Sequence, residues 1–393
     1  MHDTWQKAYD ELKSYIANNP SIEIGKDVIR VPDGLNSKFY QLFNRVRATF
    51  IKDNFSASLE KGYVLSKNWG EVSQAVTDSL KLESIDVTGR IKWFLLDPID
   101  GLMQLLFHPL FDVLKGKKDL AAFEQSAAQL VEDKFIECFR EGYQRWAIVS
   151  LIKLLAADKT YHIPIMDYSI DITPFEEGSM QNGLYQEPVP DIEETNKISF
   201  AGHPICSFIA PKIIVHSTRL DLFTAFRPDF YRAVWRAQSI SPEREWYRIS
   251  DIVREFGQNK LWPDLAIYTS ASLKELDLIA DYFKVARPDI VVECREEKGW
   301  YEKEGLELVK RHYNVLKPKL GSFVVCRESV PEAALKELEA KAVLQASDVG
   351  TTSETVVQSA LNIRLLSVGY DITKLEPIIE AIIETQTKPG EAK

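Results

Sequence analysis

KELDLIADYFKVARPDIVVECREEKG, residues 274–299, holds two apolar runs, ELDLIADY and DIVVECRE, on either side of a short polar segment. The alternation and β-branching of both runs predict strands. On a strand successive side chains point to opposite faces. Glu293 and Arg295 therefore share one face, about 7 Å apart along the backbone, and Cys294 faces the other way. A hairpin through residues 283–287 would return DIVVECRE beside ELDLIADY and bring Asp277 near Glu293. Two carboxylates converging with a cation suit a hard metal such as Mg²⁺, which takes few protein oxygens and keeps several waters. Such a metal lowers the pKa of a bound water and stabilises charge on phosphoryl oxygens.

The flanks extend this pattern. APKIIVHS, LAIYTSA, GSFVVCRE and VLQASDV read as further strands, whereas RPDFYRAVWRAQ, WYRISDIVREFG, YEKEGLELVKRHYNVLKPK and PEAALKELEAKA read as helices. Pro331 stands at a first-turn position of the last of these helices. The order predicts a mixed sheet flanked by helices. Upstream the period is helical: DLAAFEQSAAQLVEDKFIECFREGYQRWAIVSLIKLLAADK runs for many turns with Gly142 its only glycine and no proline. Between Pro164 and Lys197 the composition turns acidic and proline-rich, with Asp167, Asp171, Glu176, Glu177, Glu187, Asp191, Glu193 and Glu194 against the single lysine Lys197. The expected fold is α+β overall. A helical domain at 1–163 leads through an acidic linker or irregular excursion at 164–200 into an α/β domain at 201–393, with its core at about 246–350.

The segment E275-L-D277-L-I-A followed by I-V-V-E293-C-R295 resembles the signature of the PD-(D/E)XK nuclease superfamily, of the restriction-endonuclease-like and archaeal resolvase-like kind. The downstream order of helix, strand, helix and strand is similar too. The resemblance implies a metal-dependent nuclease that hydrolyses phosphodiester bonds in DNA with Mg²⁺ or Mn²⁺. Asp277 and Glu293 would be the metal ligands, and Arg295 would sit on the scissile phosphate. Glu255, in the preceding helix, matches an acidic residue some members carry. Arg295 stands where the family has lysine. It keeps the charge and holds a phosphate bidentately, but it cannot accept a proton. The alternative is a catalytically inactive nuclease-fold protein serving as a nucleic-acid-binding or protein-assembly module. A third reading is an unrelated α+β interaction protein.

The whole composition fits a globular protein: 393 residues, 45% hydrophobic and 27% charged. The N-terminus has an amphipathic pattern rather than a basic start and apolar centre, so a cytoplasmic protein is expected. Cys138, Cys206, Cys294 and Cys326 form no CxxC pair, and the scattered histidines form no HExxH or His/Cys cluster. No GxGxxG, GxxxxGK[ST] or GxSxG occurs, so neither nucleotide binding nor serine hydrolysis finds support. A net charge of −10 requires any DNA-binding surface to be local. Arg227, Arg232 and Arg236, interleaved with Phe226, Phe230, Tyr231 and Trp235, are candidate phosphate contacts. Alternatively they belong to a helix whose arginines pair with neighbouring acids. The apolar stretch 91–118 reads as buried helices broken at Asp97-Pro98 and His108-Pro109, rather than as a membrane-surface element. A protein partner on the helical domain is expected, and the oligomeric state is open.

Overall fold

The computed structural model describes residues 4–87, 89–162, 193–200, 213–228, 263–273, 276, 287–302, 304–339 and 361–384. Its first part consists of α1 (Trp5–Ala17), α2 (Asp33–Asn54), α3 (Ser56–Leu80), α4 (Gly89–Leu96), α5 (Pro98–Met103), α6 (Phe107–Leu114) and α7 (Leu120–Leu154). The short strands β1 (Glu23–Ile24), β2 (Ile29–Arg30) and β3 (Ser84–Asp86) lie between them. Capping chemistry sets several boundaries. The Asp97 carboxylate accepts the N–H of Ile99 at 2.8 Å, and Pro98 opens α5. Asp119 starts α7 in the same way, accepting from Ala122 N–H at 2.7 Å. Pro109 behaves differently from expectation: it lies in the first turn of α6, where its missing N–H has no helical partner to lose. The chain breaks instead at a 3₁₀ turn, Gln104–Leu106. Ile91, Phe94, Leu95, Leu102, Leu106 and Leu110 of this stretch are buried in the core. Among the described residues no helix is long and apolar enough to cross a membrane.

The sheet contains β4 (Lys159–His162), β5 (Glu193–Thr195), β7 (Ile213–Ser217), β8 (Leu222–Pro228), β9 (Leu265–Ser270), β10 (Ile290–Arg295), β11 (Gly321–Cys326) and β12 (Ile363–Ser367). A separate strand, β6 (Lys197–Ser199), pairs in parallel with β3. The eight strands run in the order β12-β11-β10-β9-β8-β7-β4-β5. The three at the β12 end are mutually parallel, and every other neighbouring pair is antiparallel. Helix α8 (Gly305–Leu316) crosses from β10 to β11, α9 (Glu332–Glu339) lies between β11 and β12, and α10 (Glu376–Glu384) follows. The protein is thus α+β, with a helical N-terminal region and a mixed C-terminal sheet.

Some local expectations change, and others fall outside the described residues. The neighbour of β10 is β9 and not ELDLIADY, of which only Leu276 is described, as helical. The strand beyond β11 is Ile363–Ser367, whereas VLQASDV lies outside the described residues. Arg227 and Pro228 close β8, and the rest of RPDFYRAVWRAQ, residues 229–238, lies outside the described residues. The sheet also starts earlier than residue 201. β4 falls within 1–163, and the acidic tail of 164–200 forms β5, which pairs with β4. Asp289 fixes the far end of the β9–β10 pair. Its buried carboxylate accepts the N–H of Thr269 at 2.7 Å and the ammonium of Lys319 at 2.7 Å.

Helix α7 joins the two parts. From Gly142 to Ile152 every residue is buried. A helix apolar on one face only would leave a polar stripe in water, so this segment is enclosed on all sides. α3 and α4 pack on it from the helical part, and β10 packs on it from the sheet. One hydrophobic cluster therefore runs from Trp5 through Trp146 to Val292 and Ile382. Close packing extends to Gly101, where an added Cβ would lie 2.6 Å from the Phe94 backbone. Gly101→Ala is expected to destabilise the fold by about 1–3 kcal/mol, read as a lower urea midpoint. An unchanged midpoint would mean that the α4–α5 contact yields without cost.

Candidate active site

Strands β9 and β10 run antiparallel with Val292 opposite Leu265. One further step of this register sets Asp264, the residue before β9, level with Glu293. The sheet thus brings together the start of one strand and the end of the next. Asp264 Oδ2 accepts the N–H of Cys294 at 2.7 Å, and its other oxygen accepts from Gln144 Nε2, on α7, at 2.5 Å. Glu293 has 0% of its surface exposed. Its two oxygens are divided between two side chains: Arg295 Nη2 donates to Oε2 at 2.7 Å, and His312 Nδ1, from α8, meets Oε1.

The guanidinium of Arg295 reaches further than Glu293. Nη1 lies 3.5 Å from Asp264 Oδ2 and 3.4 Å from the carbonyl oxygen of Cys294. These are long contacts, weaker than the one to Glu293. The group also sits 5.8 Å from the Trp300 ring centre. Three oxygens from two strands therefore converge on one cation, whose side chain retains 16% exposure.

Burial shapes the charges. It pushes the Asp264 carboxyl up to about 6, with Arg295 opposing and Glu293 adding to the rise. Burial also acts on Glu293, but His312 and Arg295 outweigh it and hold that carboxylate below its usual range. Burial lowers Arg295, and the carboxylates around it reverse that effect and leave it raised. Glu296, buried near Asp264 on the following turn of chain, is pushed up to about 7 by burial, with the Asp264 charge adding.

Of the residues expected from sequence, Glu293 and Arg295 are in direct contact. Asp277 lies outside the described residues, as do Glu255, Arg232 and Arg236. Arg227 is described and fully buried at 0% exposure, so its guanidinium is not on the surface where a phosphate would dock. Sequence reading passed over Asp264, His312 and Gln144. A signal existed for Asp264: the Pro263-Asp264 pair stands immediately before the apolar run LAIYTS. His312 follows Val309 by three residues on the buried face of α8, which announces burial but not its partner. Nothing local marks Gln144.

The raised pKa of Glu296 has a definite consequence for stability. Between its usual 4.5 and about 7 the folded state binds more protons at this group than the unfolded state, so its contribution to stability falls as pH rises through that window. Asp264 adds a decline of the same sign up to about 6, whereas Glu293 stabilises above its usual range and loses that effect at acid pH. Glu296→Gln is expected to flatten the decline in unfolding free energy between pH 4.5 and 7, measured by urea titration. Equal slopes in the two proteins would show that this carboxyl is solvated. Set against protein-family models, curated proteins and solved structures, the chain matches none.

Proposed function

We propose that the protein is a divalent-metal-dependent phosphodiesterase acting on DNA, with Asp264 rather than Asp277 as the partner of Glu293. One observation carries this reading: Asp264 Oδ2, Glu293 Oε2 and the Cys294 carbonyl oxygen gather around a single cationic group. Two further features support it. Pro263-Asp264 is a proline–aspartate pair of the kind for which the PD-(D/E)XK superfamily is named, and Glu293-Cys294-Arg295 follows it on the adjacent strand. The helix, strand and helix that follow β10, namely α8, β11 and α9, also agree with the resemblance.

The donor set fits Mg²⁺ or Mn²⁺ in kind, being hard oxygens that leave positions for water. Among the described residues no cluster of three acidic, histidine or cysteine side chains forms a metal-holding group. The set here is two carboxylates and one main-chain carbonyl. When bound, such an ion supplies a water of lowered pKa and compensates charge on phosphoryl oxygens. The chain supplies the rest. His312 orients Glu293 and keeps it ionised, and Gln144 with the Cys294 N–H fixes the rotamer of Asp264. Arg295 provides a fork of donors matched to a phosphate.

The second reading is a catalytically silent protein of the same fold that serves as a nucleic-acid-binding or assembly module. The contact of Arg295 with all three oxygens, together with the net charge of −10, favours it. Nicking of supercoiled plasmid in Mg²⁺ or Mn²⁺ separates the two. Activity is expected from the wild type and from Asp277→Ala. Asp264→Asn and Glu293→Gln are expected to lose at least about 100-fold, the scale on which even outer partners of a metal act. Loss in Asp277→Ala with retention in Asp264→Asn would reverse the assignment. A silent wild type would transfer the proposal to the binding or assembly module.

A further inference from the structure

We propose that Arg295 is a resident counter-cation that occupies the oxygen set of Asp264, Glu293 and Cys294 and competes with a divalent ion for it. This rests on the cation-site reading of the preceding subsection and concerns what regulates that site. Its ground is the position of the guanidinium. Nη2 is 2.7 Å from Glu293 Oε2, while Nη1 is 3.5 Å from Asp264 Oδ2 and 3.4 Å from the Cys294 carbonyl oxygen. One forked cation spans oxygens of Asp264 and of β10 with two donor nitrogens, where a lysine has a single one.

Burial explains why the fork stays. Two carboxylates at the ends of neighbouring strands repel each other, and a buried charge left without a partner is costly. His312 meets one oxygen of Glu293, and the Arg295 charge lies against the other and against Asp264. The Trp300 ring lies beside the guanidinium and supports it there. An incoming divalent ion replaces this compensation instead of filling a bare site. Its apparent affinity is reduced by the fraction of molecules in which the guanidinium is already in place. The Arg295 side chain keeps 16% exposure, so a displaced guanidinium can turn towards solvent.

The test is Mn²⁺ binding to the full chain, followed by loss of the free-ion electron paramagnetic resonance signal and by thermal unfolding, without any substrate. The proteins compared are wild type, R295A, R295K and the double variant R295A/E293Q. R295A is expected to bind Mn²⁺ at least about tenfold more tightly than wild type. It should melt lower than wild type without the ion and recover as Mn²⁺ is added. R295K should gain affinity by a smaller factor, and it provides the reading if R295A does not fold. The gain should vanish in R295A/E293Q. Binding by wild type as tight as by both single variants would overturn the counter-cation role and leave the proposed cation site standing. Binding by none of the four would overturn both.

Discussion

A carboxylate sealed from water has to be given positive charge by the protein, and Glu293 is sealed completely. Much of the C-terminal architecture follows from that requirement. The β9–β10 register places Asp264 beside it, α8 delivers His312 beneath it, and the strand's own alternation returns Arg295 to the same face. Each of these groups would be expensive to bury alone. Together they form a network in which nearly every charge has a neighbour of opposite sign, and such networks specify one arrangement of their strands.

The sequence made β10 legible because IVVEC is a short, mostly apolar, β-branched run bounded by a proline and a charged run. Its partner was not legible. A strand pairs with whatever the fold brings beside it, and nearness in sequence suggested ELDLIADY when the chain turns helical at Leu273 and Leu276. Among the described residues the aspartate of the cluster is Asp264, ahead of a strand that had been recognised. Gln144 was out of reach of any local pattern, since 120 residues separate it from the carboxylate it holds. Arg227 misled for a different reason. Interleaved arginines and aromatics suggest an exposed binding face, but β8 is an interior strand covered on both sides, with little alternation left in its burial.

The division into a helical and an α/β part is real in secondary structure and incomplete in packing. β4 follows directly on α7 and enters the sheet, while β6 returns to pair with β3 among the helices. The chain is stitched across the boundary in both directions, and the buried half of α7 serves as core to both parts.

Helix α7 has 35 residues, which makes a rod of about 50 Å. Near its start Phe123 packs against Trp5 and Phe50, and towards its end Gln144 grips Asp264 while Tyr143 donates to the Gly369 carbonyl. A continuous hydrogen-bonded helix bends far more readily than it shortens. Because it resists shortening, it holds the axial spacing between the aromatic contact at Phe123 and the grip on Asp264, and so serves as a ruler between the helical part and the acidic cluster.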